Sequence, residues 1–142
     1  MNYRDEAAFS KALVTAMRNR GIFVQRIESG ETGKGIPDLF VITQRVPMWL
    51  ELKRVHGRIP AHSGLSVDIP WRPGQQAWLS DVNLRGVKCY TIACFDNGIL
   101  QIPHDKVYAN NTVLVGLTQY YKDIRSLLDE ERVSIKVEGR VT

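Results

Sequence analysis

Two adjacent stretches constrain this chain more than any other: Gly35-Ile36-Pro37-Asp38-Leu39-Phe40-Val41-Ile42-Thr43 and, shortly after, Met48-Trp49-Leu50-Glu51-Leu52-Lys53. The first reads as a buried β-strand whose polar residue stands at its start. The second alternates, which sets Trp49, Glu51 and Lys53 on one face and Met48, Leu50 and Leu52 on the other. The four residues Gln44 to Pro47 suit a hairpin connection, so the strands are expected to pair antiparallel. Asp38 then lies across from the end of the second strand, near Glu51 and Lys53, and two carboxylates and an ammonium meet at a sheet edge.

Carboxylates that begin or interrupt apolar strands cost desolvation energy unless a cation or a partner meets them. Asp38 and Glu51 are hard oxygen ligands suited to Mg²⁺, with Mn²⁺ able to substitute. Mg²⁺ keeps several waters and is often held by one or two carboxylates plus substrate phosphate. Lys53 lies roughly 7 Å along the strand from Glu51, two strand rises away. From there its ammonium can orient an attacking water or offset charge building on a phosphorane-like transition state. The main-chain carbonyl of Leu52 offers a further ligand. A salt bridge between Glu51 and Lys53 on a surface strand is the plainer alternative.

Pro37-Asp38, then twelve residues, then Glu51-Leu52-Lys53 resembles the PD-(D/E)xK nuclease motif. The similarity is to small bacteriophage-type endonucleases, junction resolvases and virus-type replication-repair nucleases, and it extends from about Glu6 to Gly98. The resemblance implies an α/β chain with a restriction-endonuclease-like core, a central mixed β-sheet flanked by helices. It implies a Mg²⁺-dependent DNA endonuclease leaving 5′-phosphate and 3′-hydroxyl ends, with metal at Asp38 and Glu51 and a helix-borne Glu6 completing the site. It also implies that Gln75, following the Glu-x-Lys strand, supports substrate or water, with Gln76 as the second choice. Likeness to the phage-type enzymes favours branched DNA such as four-way junctions, and hence a homodimer, since two symmetric cuts need two sites. The rivals are a nuclease acting on flaps, single strands, RNA or a specific duplex sequence, and a nucleic-acid-binding module without catalysis.

Residues 4–20 read as the first helix, with Phe9, Leu13 and Met17 on its apolar stripe. Glu6 also suits the dipole of its first turn, and Asp5 is its substitute as a site carboxylate. A strand is expected over 22–27. The glycine-rich loop 28–35 comes next, with Ser29 and Lys34 as candidate phosphate contacts. Residues 54–73 carry Arg54, His56, Arg58, His62 and Arg72 against one Asp, without strong periodicity. Arg54, His56, Arg58 and Arg72 are read as nucleic-acid contacts, with Trp71 and the histidines as flat groups for stacking on bases. A second helix is expected over 73–85, a strand over 87–95, a turn at Asp96-Asn97-Gly98 and a return strand over 99–102. Beyond these come a loop or short helix over 103–111, a helix over 117–131 and a strand over 133–137.

A chain of 142 residues suits one domain, here a core over about 4–102 and a C-terminal extension over 103–142. The net charge of +4 suggests a polyanionic partner, and its distribution is more telling. Residues 1–104 hold 13 Lys and Arg against 9 Asp and Glu, whereas 105–142 hold 6 of each. The basic excess therefore sits with the proposed site. No apolar run approaches the length of a membrane span, and the N-terminus lacks the order of a secretion signal, so a cytoplasmic protein is expected, or a phage protein acting in the host cytoplasm. Cys89 and Cys94, five apart in one strand, match neither a zinc nor a redox pattern and are expected as buried thiols.

Overall fold

The computed structural model describes residues 3–27 and 35–129. Asp5 opens helix α1 (Glu6–Asn19) by accepting a 2.8 Å hydrogen bond from the Ala8 amide, so it caps the helix rather than serving the site. Phe9, Leu13, Val14 and Met17 form the buried stripe of α1. Strand β1 (Phe23–Arg26) comes next, then β2 (Leu39–Thr43) and β3 (Val46–Arg54), with β2 antiparallel to both of the others. The β2–β3 connection is tighter than the four residues expected. Gln44 and Arg45 alone turn the chain, both at positive φ (44° and 74°), and Thr43 faces Val46 directly. Positive φ at both central residues matches the twist of the flanking strands.

From β3 the chain passes through the short β4 (Ser66–Asp68) and helix α2 (Gln75–Leu84) to β5 (Lys88–Phe95), which lies parallel to β3. A hairpin at Asp96-Asn97 leads into β6 (Gly98–Pro103). β7 (Thr112–Leu114) pairs with β4 in a separate two-stranded ribbon, and β8 (Gln119–Tyr121) pairs with β6. The main sheet therefore has the order β1-β2-β3-β5-β6-β8 and is mixed, with helices on its faces. A last helical stretch, α3, covers residues 124–129.

Two corrections concern elements that the chain builds from distant pieces. The helix expected over 117–131 begins only at 124, because Gln119–Tyr121 joins β6 as an edge strand. The stretch 54–73 is not irregular throughout: Ile59, Val67, Ile69 and Trp71 are buried, and Ser66–Asp68 finds its partner at Thr112–Leu114. The strand expected over 133–137 lies outside the described residues, as do Ser29 and Lys34.

Each face of the sheet has its own apolar cluster. One joins α1 and α3 to Leu39, Val41, Leu50, Leu52 and Ile92. The other joins Ile59, Val67, Ile69 and Trp71 to Ala93, Leu100 and Ile102. Cys89 and Cys94 are buried and free, and burial pushes both thiols up to about 11.

Candidate active site

β3 outruns its neighbour. Its last partner in β2 is Leu39, opposite Leu50, so residues 51–54 extend past the end of that strand while β5 still pairs with them on the other side. The amides of Leu52 and Arg54 point toward the vacated side and must find acceptors elsewhere. Asp38, immediately before β2, accepts from the Leu52 amide at 2.8 Å. The Glu6 carboxylate is held by the Arg54 amide. In a strand a residue's amide and carbonyl leave on the same side, so the Leu52 carbonyl also emerges beside Asp38. The carboxylates gather here because two unpaired strand amides draw them in.

Glu51 and Lys53 point to the other face, as their alternation requires, and both are buried, at 1% and 4% exposure. Lys53 Nζ lies 3.3 Å from Glu51 Oε2, and Gln75 Nε2 donates to the same oxygen at 3.1 Å. Among the described residues, Glu51 Oε1 is buried without a hydrogen-bond partner. Burial, reinforced by the charge of Asp38 and opposed by Lys53, raises the Glu51 carboxyl to about 8. Glu6 is also raised, by burial first, with Lys53 opposing and Asp38 adding. An unpaired buried oxygen on an acid already crowded by another carboxylate is what a cation would relieve. The residues present therefore fit a divalent ion held by Asp38, Glu51 and the Leu52 carbonyl.

Gln75 is the first residue of α2. Its Oε1 accepts from the Arg72 amide at 2.8 Å, which fixes the amide so that its NH₂ faces Glu51. Gly35 lets the loop before Asp38 approach this helix: a Cβ there would lie 2.7 Å from the Gly74 carbonyl, and its φ is +82°. Gln76 turns away to bond Tyr108 and Asn111, so the doubled Gln resolves into one residue at the site and one tying down the loop 108–111.

Other expected positions fall elsewhere. Glu6 lies within reach of the cluster's charges, but no three His, Cys, Asp or Glu side chains among the described residues converge on one point where they could hold an ion. Its carboxylate also takes a hydrogen bond from the Arg54 amide. Arg54 is not a phosphate contact. Its guanidinium is 4% exposed and is consumed by the carbonyls of Tyr3, Val55 and Cys94 and by Asp96 at 2.7 Å. Trp71 is buried, stacks on Tyr108 and donates to Thr91 Oγ1, so it has no face for a base. His56, Arg58, His62 and Arg72 are exposed, and the charge of Arg72 reaches Glu6. The sequence carried no signal for Thr91 and His104, which brace Trp71 just before the Arg72 amide that holds Gln75.

No protein-family model matches the chain, and no curated protein matches it. Solved structures do. Among them, Archaeoglobus fulgidus Hjc, a Holliday junction resolvase from an archaeal hyperthermophile, is similar over 80% of this chain and 94% of its own. The TM-score is 0.56 and the identity 14%. The chain has the restriction-endonuclease-like fold. In this chain β3, whose margin carries Glu51 and Lys53, lies inside the six-stranded sheet between β2 and β5.

Proposed function

We propose that this protein is a divalent-metal-dependent endodeoxyribonuclease that hydrolyses phosphodiester bonds in branched DNA, four-way junctions above all, and acts as a homodimer. The observation that carries the reading is Glu51: a buried acid with one oxygen unpaired, Asp38 adding to its repulsion and Lys53 held 3.3 Å away. Such an arrangement is unfavourable for folding alone and fits a site that holds a cation.

Mg²⁺ or Mn²⁺ held by Asp38, Glu51 and the Leu52 carbonyl would polarise the scissile phosphate and lower the pKa of a bound water. Lys53, fixed by Glu51, keeps a cationic donor at the place where the phosphoryl oxygens gain charge. Gln75 holds Oε2 of Glu51 and leaves Oε1 free. Glu6 supplies negative charge beside the ion. Arg58, Arg72 and His56 stand exposed as backbone contacts; Ser29 and Lys34, outside the described residues, are proposed as further contacts from the sequence alone. The likeness to a Holliday junction resolvase supports the branched substrate, and two symmetric cuts in such a substrate would need the two sites of a dimer.

The test sets a four-way junction, a flap, a linear duplex and a single strand side by side with Mg²⁺, Mn²⁺ or chelator. Paired cuts in the junction, lost with chelator, are expected. Absence of cleavage on every substrate with either ion, alongside retained DNA binding, would leave a binding module instead.

A further inference from the structure

Away from the catalytic margin, a groove of about 690 Å³ opens between the loop after β3 and the β5–β6 turn, lined by Arg58, Ser63, Asn97 and Tyr120 among others. We infer that this groove is a second nucleic-acid subsite, in which Arg58 holds a backbone phosphate and the Tyr120 ring stacks on an unpaired base. The inference rests on the nuclease reading for its biological sense but not for its test.

Cross-strand register places the groove. Lys53 faces Ala93, Ala93 faces Leu100 and Leu100 faces Tyr120, so Tyr120 sits in the same row and on the same face as the catalytic ammonium. Three strand spacings put the two about 14 Å apart, roughly two or three nucleotides of an extended strand. A single-stranded arm leaving the cleavage site spans that distance.

The walls are rigid, which a recognition site needs. The Asn97 side chain accepts from the Ile59 amide at 2.7 Å and donates to the Ile59 carbonyl at 3.1 Å, pinning the loop that carries Arg58. The Asp96 amide donates to the Gly57 carbonyl at 2.8 Å. Tyr120 lies against Gly98, where any Cβ would meet the ring at 2.3 Å, and its hydroxyl donates to the Asn97 carbonyl at 2.9 Å. The ring is thus backed on one side while the residue stays 54% exposed.

Charge selects the ligand. Arg58 is exposed and makes no ion pair or hydrogen bond among the described residues, unlike Arg54 four positions earlier. Among the described residues no acid lines the groove, and between Glu51 and Asp68 the chain carries none. An unpaired guanidinium beside an open aromatic ring fits the alternation of phosphate and base in a single strand better than an apolar partner.

The test measures fluorescence anisotropy of a labelled oligothymidylate of about six nucleotides, within the range of such sites, with chelator present so that cleavage plays no part. Wild type is compared with Arg58→Ala, Tyr120→Leu and Tyr120→Phe, with thermal melts to verify folding. Arg58→Ala should weaken binding and lower the salt slope by about one phosphate contact. Tyr120→Leu should weaken it about fivefold to a hundredfold, and Tyr120→Phe, which keeps the ring, should bind like wild type. Unchanged affinity and slope in Arg58→Ala, whose exposed side chain leaves the fold intact, overturns the subsite. So does equal loss in the Leu and Phe variants, since stacking would then not be the cause. Oligonucleotide binding through the groove by a protein that cleaves nothing would sink the nuclease reading alone; cleavage with unaltered binding in Arg58→Ala and Tyr120→Leu would sink the subsite, and Arg58 as a DNA contact with it, and leave the nuclease reading standing.

Discussion

Glu51 and His104 invite comparison. Both lie beside Thr91 in the sheet, Glu51 opposite it in the neighbouring strand and His104 bonded to its hydroxyl at 2.7 Å. Exposure is 1% for one and 0% for the other, and each keeps one buried atom without a partner among the described residues, Glu51 Oε1 and His104 Nδ1. Burial drives both toward neutrality, the acid up to about 8 and the imidazole down to about 4. The difference lies in the company. Asp38, Lys53 and Glu6 all act on Glu51, whereas His104 is shifted by burial alone and packs against the rings of Trp71 and Tyr108. Burial by itself marks a structural group; burial among charges at a sheet margin marks a candidate functional one.

The largest effect that would break this contrast is on cleavage. Lys53→Ala should lower single-turnover cleavage of the preferred DNA by about a hundredfold to ten-thousandfold, the range for losing a positioned donor or proton-transfer group. Binding of the same DNA, measured in chelator, should change only a few-fold. His104→Asn should leave the cleavage rate within a few-fold, and an equal collapse in both would erase the distinction.

Next comes the opposite pH response of the two groups. The Glu51 carboxyl is raised from 4.5 to about 8, so the folded state binds the proton more tightly, and metal-free stability should fall as pH rises through that window. The fall attributable to this group is about 3–5 kcal/mol at most. Glu51→Gln should flatten it and leave the metal-free variant more stable than wild type at pH 8. Mg²⁺ at a hundred times its Kd should return about 2.7 kcal/mol to the wild type and nothing to the variant, read as the shift in a denaturant midpoint. A variant that gains as much from Mg²⁺ as the wild type would mean that the ion binds elsewhere.

His104 runs the other way. Its folded value of about 4 lies below the ordinary 6.5, so the unfolded chain takes the proton first and stability is lost as pH falls through that interval. The loss is about 3 kcal/mol. Urea melts at pH 7 and pH 4.5 should show it in the wild type and a smaller drop in His104→Asn. Identical drops would remove the desolvated imidazole from the account.

The legible and the hidden parts of the sequence divide in the same way between near and far. The hairpin and the facing of Asp38 toward the end of β3 were legible because alternation over Met48 to Lys53 fixes faces locally, and a short turn fixes direction. The role of Arg54 was not, because its acceptors at Tyr3, Cys94 and Asp96 lie some 40 to 51 positions away. Tyr121, Ile124, Leu127 and Leu128 share helical spacing and are all buried, yet the first reaches the core from an edge strand. Periodicity recorded the burial and could not record which neighbour achieved it.

The smallest effect separates two arginines by the same criterion of company. Arg54 is enclosed and paired with Asp96 and main-chain carbonyls, while Arg72 stands exposed with its charge felt by Glu6. Arg54→Ala should therefore lower stability by about 2 kcal/mol, as lost hydrogen bonds from a charged donor do, and leave the salt dependence of DNA binding unchanged. Arg72→Ala should melt within about 0.5 kcal/mol of wild type, yet reduce the slope of log affinity against log salt by about one. Both come from one titration of DNA binding at several salt concentrations beside one denaturant curve. If Arg54→Ala alone lowers the salt slope, its guanidinium must leave its internal partners to meet DNA, and the enclosed arginine would then belong with Lys53 and Glu51 among the groups that act on substrate.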